Sequence, residues 1–180
     1  MYDAHDTIQR THERLVRLTS TQVLLAIAAA VLVLDQATKT WIREALPLHA
    51  SVTVIPGLLD LTHVRNTGAV FGLLNAADIP FKPALMTVIA LLALVAIAIY
   101  AWRSAGDGPA ARLALALILG GAVGNLVDRV RIGYVVDFVD VYWRGYHFWA
   151  FNVADAAISV GAVLLILDMI VRPRHASGTA

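Results

Sequence analysis

ALMTVIALLALVAIAIYAW, residues Ala84–Trp102, runs for nineteen positions without a charged side chain. A helix of that length extends about 28 Å at 1.5 Å per residue, close to the roughly 30 Å of a bilayer's hydrocarbon core. The stretch reads as a membrane-spanning helix and sets the class of the whole chain. Three other stretches fit it. Leu18–Leu34 is largely apolar and continues in helical register through Asp35 and Lys39 to an aromatic at Trp41. Leu113–Val127 is short, and reaches spanning length only if Asp128 and Arg129 continue the helix while facing protein, as ionisable groups inside membranes do. Phe151–Val171 carries Asp155 near its start.

The expected fold is an α-helical integral membrane protein with four transmembrane helices, at about 18–42, 83–103, 112–129 and 152–171. Residues 1–17 form a polar cytoplasmic extension, 43–82 an extracytoplasmic β region and 130–151 an extracytoplasmic loop. Within 43–82, Val52 and Val54, then Pro56-Gly57, then Leu59, Leu61 and Val64 spell a short hairpin turned at the Pro-Gly pair. Met1–Thr11 and His175–Ala180 read as disordered ends.

Composition agrees. Across 180 residues, 59% hydrophobic and 15% charged is too apolar for an ordinary soluble domain. A net charge of +1 from scattered Lys and Arg offers no field for nucleic acid. No cysteine is present, which removes disulfides, thiolate nucleophiles and Cys-ligated zinc. Arg10, Arg14 and Arg17, the loop-flanking Arg103 and Arg112, and Arg172 and Arg174 fall on one side of the four spans, which assigns both termini to the cytoplasm. The basic residues before the first span also suit a cleaved signal peptide, but the segment runs on helically past Asp35.

Unusual polar residues gather at the outer ends of the spans. Asp35 and Lys39 are four apart with the acid first, the order of a same-face ion pair. Asn66-Thr67-Gly68 follows the second strand, and on its own would be an ordinary turn. Gly120 and Gly124 form a small-xxx-small pair suited to close helix contact. Asn125, Asp128 and Arg129 project from one face of the same helix, a costly cluster in a membrane. Asp137 lies in the apolar Tyr134–Val139 stretch. Asn152 and Asp155 are three apart at a helix start, where an acid also serves as a cap. Asp140 is near Asp137 but has no partner motif.

Without Cys or a Ser–His nucleophile motif, paired carboxylates are the main hydrolytic option. Two carboxyls brought together share one proton, so one acts as general base and the other as acid. The six His residues show no zinc-ligand spacing, so no metal site is expected, although spacing alone leaves magnesium on aspartates open. No cofactor is expected.

Five blocks together resemble the bacterial lipoprotein signal peptidase family, also called signal peptidase II. They are Asp35-Gln36-x-x-Lys39, Asn66-Thr67-Gly68-Ala69-x-Phe71, Gly121-Ala122-x-Gly124-Asn125-x-x-Asp128-Arg129, Val136-Asp137-Phe138 and Phe151-Asn152-x-Ala154-Asp155. The resemblance implies an aspartyl endopeptidase of the bacterial inner membrane, with an extracytoplasmic β-sheet cradle and a catalytic pair, Asp137 and Asp155. It implies Asn66, Gly68, Asn125, Arg129 and Asn152 as substrate-binding residues, with Asp35, Lys39 and Asp128 in support. The implied substrates are diacylglyceryl-modified prolipoproteins cut before the lipidated cysteine, with membrane lipid as surroundings and globomycin-type cyclic peptides as inhibitors. The competing reading is a small proton- or ion-coupled transporter using the same acids. Polar groups at one surface, not at a midplane between repeats, argue against it.

Overall fold

The computed structural model describes residues 4–68, 81–103 and 108–171, the side chains of residues 4–20 and 101–103 excepted. Chain order is α1 (Ala4–Ala45), β1 (Ser51–Ile55), β2 (Leu59–Asn66), α2 (Lys82–Arg103), α3 (Pro109–Ile132), β3 (Val135–Trp143), β4 (Tyr146–His147) and α4 (Val153–Val171). Four helical segments are long and apolar enough to cross a membrane: Thr21–Ala45, Lys82–Tyr100, Pro109–Ile132 and Val153–Val171. Their outward side chains are apolar and exposed, for example Leu92, Leu167 and Ile170, as a lipid-facing surface requires.

The third helix is central and packs against the other three. It starts with Pro109 at its first turn and stops at Gly133, whose φ of 78° suits the left-handed cap and whose N–H reaches the Arg129 carbonyl at 3.1 Å. The small-xxx-small pair on α3 meets α1. A Cβ at Gly120 would lie 2.7 Å from the Ala28 carbonyl oxygen, and one at Gly124 would lie 2.6 Å from Asp35 Oδ2. The pair thus brings the backbone of α3 against α1 at two levels seven residues apart on α1, and the polar cluster sits at the level of Asp35.

Two expectations change. The helix of α1 begins at Ala4, ahead of the segment long and apolar enough to span (Thr21–Ala45), so Met1–Thr11 is not a wholly disordered end. Residues 5–17 lack Gly and Pro and include three Arg, one Gln, one Glu and one Leu, so the helix nucleated by the span extends through them. Residues 130–151 are not simply a loop, because β3 occupies much of that stretch. The end His175–Ala180 and the residues Ala69–Phe71 of the second block lie outside the described residues.

The sheet has order β1-β2-β3-β4, antiparallel throughout. The β1–β2 turn falls at Pro56-Gly57, with Gly57 at φ 80°. On β3, alternation separates two functions: Val136 and Phe138 bury against Ile42 of α1, while Val135, Asp137 and Val141 line a cavity. Strand register therefore turns Asp137 toward the helices, and a one-residue slip would turn it away.

Candidate active site

Three helix ends and the sheet converge on one side of the bundle. The C-terminal part of α1 supplies Asp35, Gln36 and Lys39, the end of α3 supplies Asn125, Asp128 and Arg129, and the start of α4 supplies Asp155. Asn66 ends β2 and Asp137 lies on β3.

The foundation is a buried ion cluster. Lys39 Nζ lies 2.8 Å from Asp35 Oδ2 and 3.0 Å from Asp128 Oδ2, and donates to Asn125 Oδ1 at 2.9 Å. All three ammonium donors are thereby used. Asp35 and Lys39 are 0% and 1% exposed, so the expected i,i+4 pair is an interior one, completed by an acid from another helix. Asp35 Oδ1 also accepts the Ala154 N–H at 2.9 Å, so α1 satisfies an orphan donor in the first turn of α4. Gln36 ties the cluster together, donating to Asp128 Oδ1 at 3.0 Å and to the Gly124 carbonyl at 3.1 Å. Gln36 stands in the first of the five blocks without an assigned role, because its partners Gly124 and Asp128 are remote in sequence.

Above the cluster, three asparagines hold the two candidate acids. Asn152 Oδ1 accepts the Asp155 N–H at 2.9 Å, which makes Asn152 the cap of α4 and leaves the Asp155 carboxylate for other partners. Asn152 Nδ2 donates to Asp137 Oδ1 at 2.7 Å. Asn125 Nδ2 donates to Asp155 Oδ1 at 2.8 Å, and Asn66 Nδ2 donates to Asp137 Oδ2 at 3.0 Å. Each amide orientation is fixed from its far end by a group that can only donate. These are the Asp155 N–H for Asn152, Lys39 for Asn125 and the Gly68 N–H, at 3.0 Å, for Asn66.

The Asp137 carboxyl is pushed up from an ordinary 3.8 to about 7. Burial is the largest cause and the nearby Asp155 the second, while the Asn66 and Asn152 hydrogen bonds and Lys39 oppose them. Arg129 spreads its guanidinium over two carbonyls, Asn125 at 3.3 Å and Gly68 at 3.4 Å.

Both acids open onto one cavity of about 850 Å³, lined also by Asn66, Asn125 and Arg129. The remaining wall is mostly apolar, from Met86 and Ile97 of α2 to Ile158 of α4, and includes Phe148 and Trp149. Two residues expected to bind substrate do not line it. Asn152 is fully enclosed, its amide spent on Asp137, Asn125, the Val136 carbonyl and the Asp155 N–H, and Gly68 is engaged by Asn66 and Arg129. Phe148 and Trp149 carry no expected role, lying in the stretch expected as a loop. Asp140, set aside as a decoy, pairs with His147 at 2.8 Å on the other side of the sheet. Among the described residues, no group of three or more His, Asp or Glu is arranged to hold a metal ion.

Residues 27–171 match the family described as signal peptidase (SPase) II. The chain belongs to that family. It is 46% identical over 156 residues to the lipoprotein signal peptidase of Geobacter metallireducens, covering 87% of this chain and 95% of that one. Its likeness to the lipoprotein signal peptidase of Nitratidesulfovibrio vulgaris is 44% over 157 residues, covering 87% and 94%. A solved structure titled a bacterial membrane enzyme, determined by the in meso method at 2.3 Å, superposes with a TM-score of 0.72 at 30% identity, covering 88% of this chain and 95% of that one. This signal peptidase II family member is accordingly a multi-pass membrane protease that removes signal peptides, and its family implies prolipoproteins as the substrates. Nothing in these likenesses supports ion transport.

Proposed function

We propose that the enzyme cleaves diacylglyceryl-modified prolipoproteins just before the lipidated cysteine, at the outer face of the bacterial inner membrane, with both termini in the cytoplasm and Asp137 and Asp155 as its catalytic pair. The observation that carries this reading is that both acids open onto one cavity, each held by amides pinned from behind. With one proton between them, the charged carboxylate takes a proton from water as it attacks the peptide carbonyl. The protonated one gives its proton to the carbonyl oxygen, the first carboxyl then passes the proton it took from water to the leaving amine as the C–N bond breaks, and the collapsing intermediate returns the other proton to the pair. Asn66, Asn125 and Arg129 face the substrate, while Asn152 and Gly68 position the groups that do. The substrate's acyl chains remain in the bilayer, so the scissile bond is delivered at the depth of the acids with little loss of freedom. A globomycin-type cyclic peptide would compete for the same cavity.

The pH profile of precursor processing tests this reading. Asp137, raised to about 7 by burial first and by the nearby Asp155 second, loses its proton as pH climbs through that range. Turnover should fall about tenfold per pH unit well above that value, because the acid is gone. Activity that keeps rising to pH 9 would contradict it. The linked effect on stability has the same sign. A carboxyl raised from 3.8 to about 7 by folding favours the fold most when protonated, so its contribution declines as pH climbs through that window.

A further inference from the structure

The outer lip of the cavity is built from an exposed segment. Phe148 and Trp149 line the cavity although they are 62% and 64% exposed, so burial alone does not fix them. They follow β4, a strand of two residues whose partners are Tyr142 for His147 and Trp143 for Tyr146. The turn between is Arg144-Gly145, both at positive φ, a tight hairpin that projects into solvent.

Side chains supplement this short ladder. His147 Nδ1 lies 2.8 Å from Asp140 Oδ2, and its ring stacks on Tyr142 with centroids 5.0 Å apart and planes at 18°. Tyr142 in turn is gripped by the β1–β2 turn, its hydroxyl oxygen accepting the Gly57 N–H at 3.0 Å and its own N–H donating to the Leu58 carbonyl at 2.9 Å. Asp140 stands directly opposite Asp60 in the β2–β3 register, and each carries a buried Oδ1 without a hydrogen-bond partner. Like charges opposed across a sheet repel, and the His147 contact gives Asp140 Oδ2 an attractive partner that offsets Asp60. His147 itself does not line the cavity.

We propose that the Asp140–His147 contact is a clasp that fixes the Phe148–Trp149 lip over the two acids, which makes His147 a positioning residue for substrate affinity. It acts through the lip and has no part in proton transfer, so its loss weakens capture and leaves chemistry intact. The role rests on the proteolytic reading above, and the test separates the two. Steady-state kinetics on a diacylglyceryl-modified precursor in detergent should show His147→Ala raising KM about threefold to tenfold, as loss of one hydrogen bond and a stacking contact allows, with kcat within about twofold of the parent. His147→Asn, whose amide nitrogen replaces Nδ1 but which lacks the ring, should bring KM part of the way back. Unchanged KM, or a fall in kcat alone, would overturn the clasp.

A second readout needs no substrate. In a background with Trp41, Trp102 and Trp143 replaced by Phe, acrylamide quenching of Trp149 should rise on His147→Ala and fall part of the way back on His147→Asn. Unaltered quenching would also overturn the clasp. Quenching that responds as expected in a parent protein that cleaves no precursor would instead overturn the proteolytic reading and leave the clasp standing.

Discussion

Asp137→Asn and Asp155→Asn should each reduce processing of a lipidated precursor by at least about a thousandfold, within the range general acid–base groups contribute. An amide can neither accept the proton of the attacking water nor supply one to the leaving amine, so either substitution ends the exchange between the pair. The two variants should differ in stability. Both oxygens of Asp137 already accept an amide N–H, from Asn152 and Asn66, so a side-chain NH₂ at this position meets a donor whichever way it turns. Among the described residues, Asp155 accepts a side-chain hydrogen bond at Oδ1 alone, from Asn125, which lets the asparagine there place its NH₂ on the other side. Asp155→Asn is therefore the cleaner test of chemistry, and near-normal turnover by it would refute the pair. Turnover by mass spectrometry and thermal midpoints measured on the same samples keep the two effects apart.

Lys39→Met should be the most destabilising single change in the site. It keeps the length of the side chain but removes the cation held between Asp35 and Asp128, leaving two buried carboxylates facing each other. Breaking a buried ion pair from one side costs about 3–5 kcal/mol, which corresponds to roughly 10 °C in a chain of this size. The damage spreads along named contacts. Asp35 holds the Ala154 N–H of α4, and Asn125 loses the donor that fixes its amide toward Asp155. Circular dichroism melting in detergent reads the loss. Asp128→Asn, which leaves Asp35 and Lys39 as a neutral pair, should lose less. An unchanged midpoint for Lys39→Met would mean that the cluster does not anchor the helices.

The spans were legible because about 20 apolar residues in a row have few other uses. The Asp35–Lys39 pair was legible from its i,i+4 spacing, but its burial was not, since the third member, Asp128, is remote in sequence and arrives only when Gly120 and Gly124 bring α3 against α1. The third strand escaped notice for a related reason. Val135–Trp143 alternates, but both faces are partly covered, so its apolar residues merge into one run broken by two acids. The division of labour between Asn152 and Asp155 needed coordinates as well. Either could cap α4 by spacing, and only the hydrogen bonds assign the cap to Asn152. The Asp140–His147 clasp had no sequence signal, because the two meet through a hairpin whose strand was not foreseen.

Mass spectrometry of a diacylglyceryl-modified prolipoprotein, before and after incubation with the purified enzyme, tests the core of this account. The expected result is a single cut immediately before the lipidated cysteine, with the same precursor lacking the lipid left essentially whole. An intact lipidated precursor, or cleavage elsewhere that ignores the lipid, would contradict it.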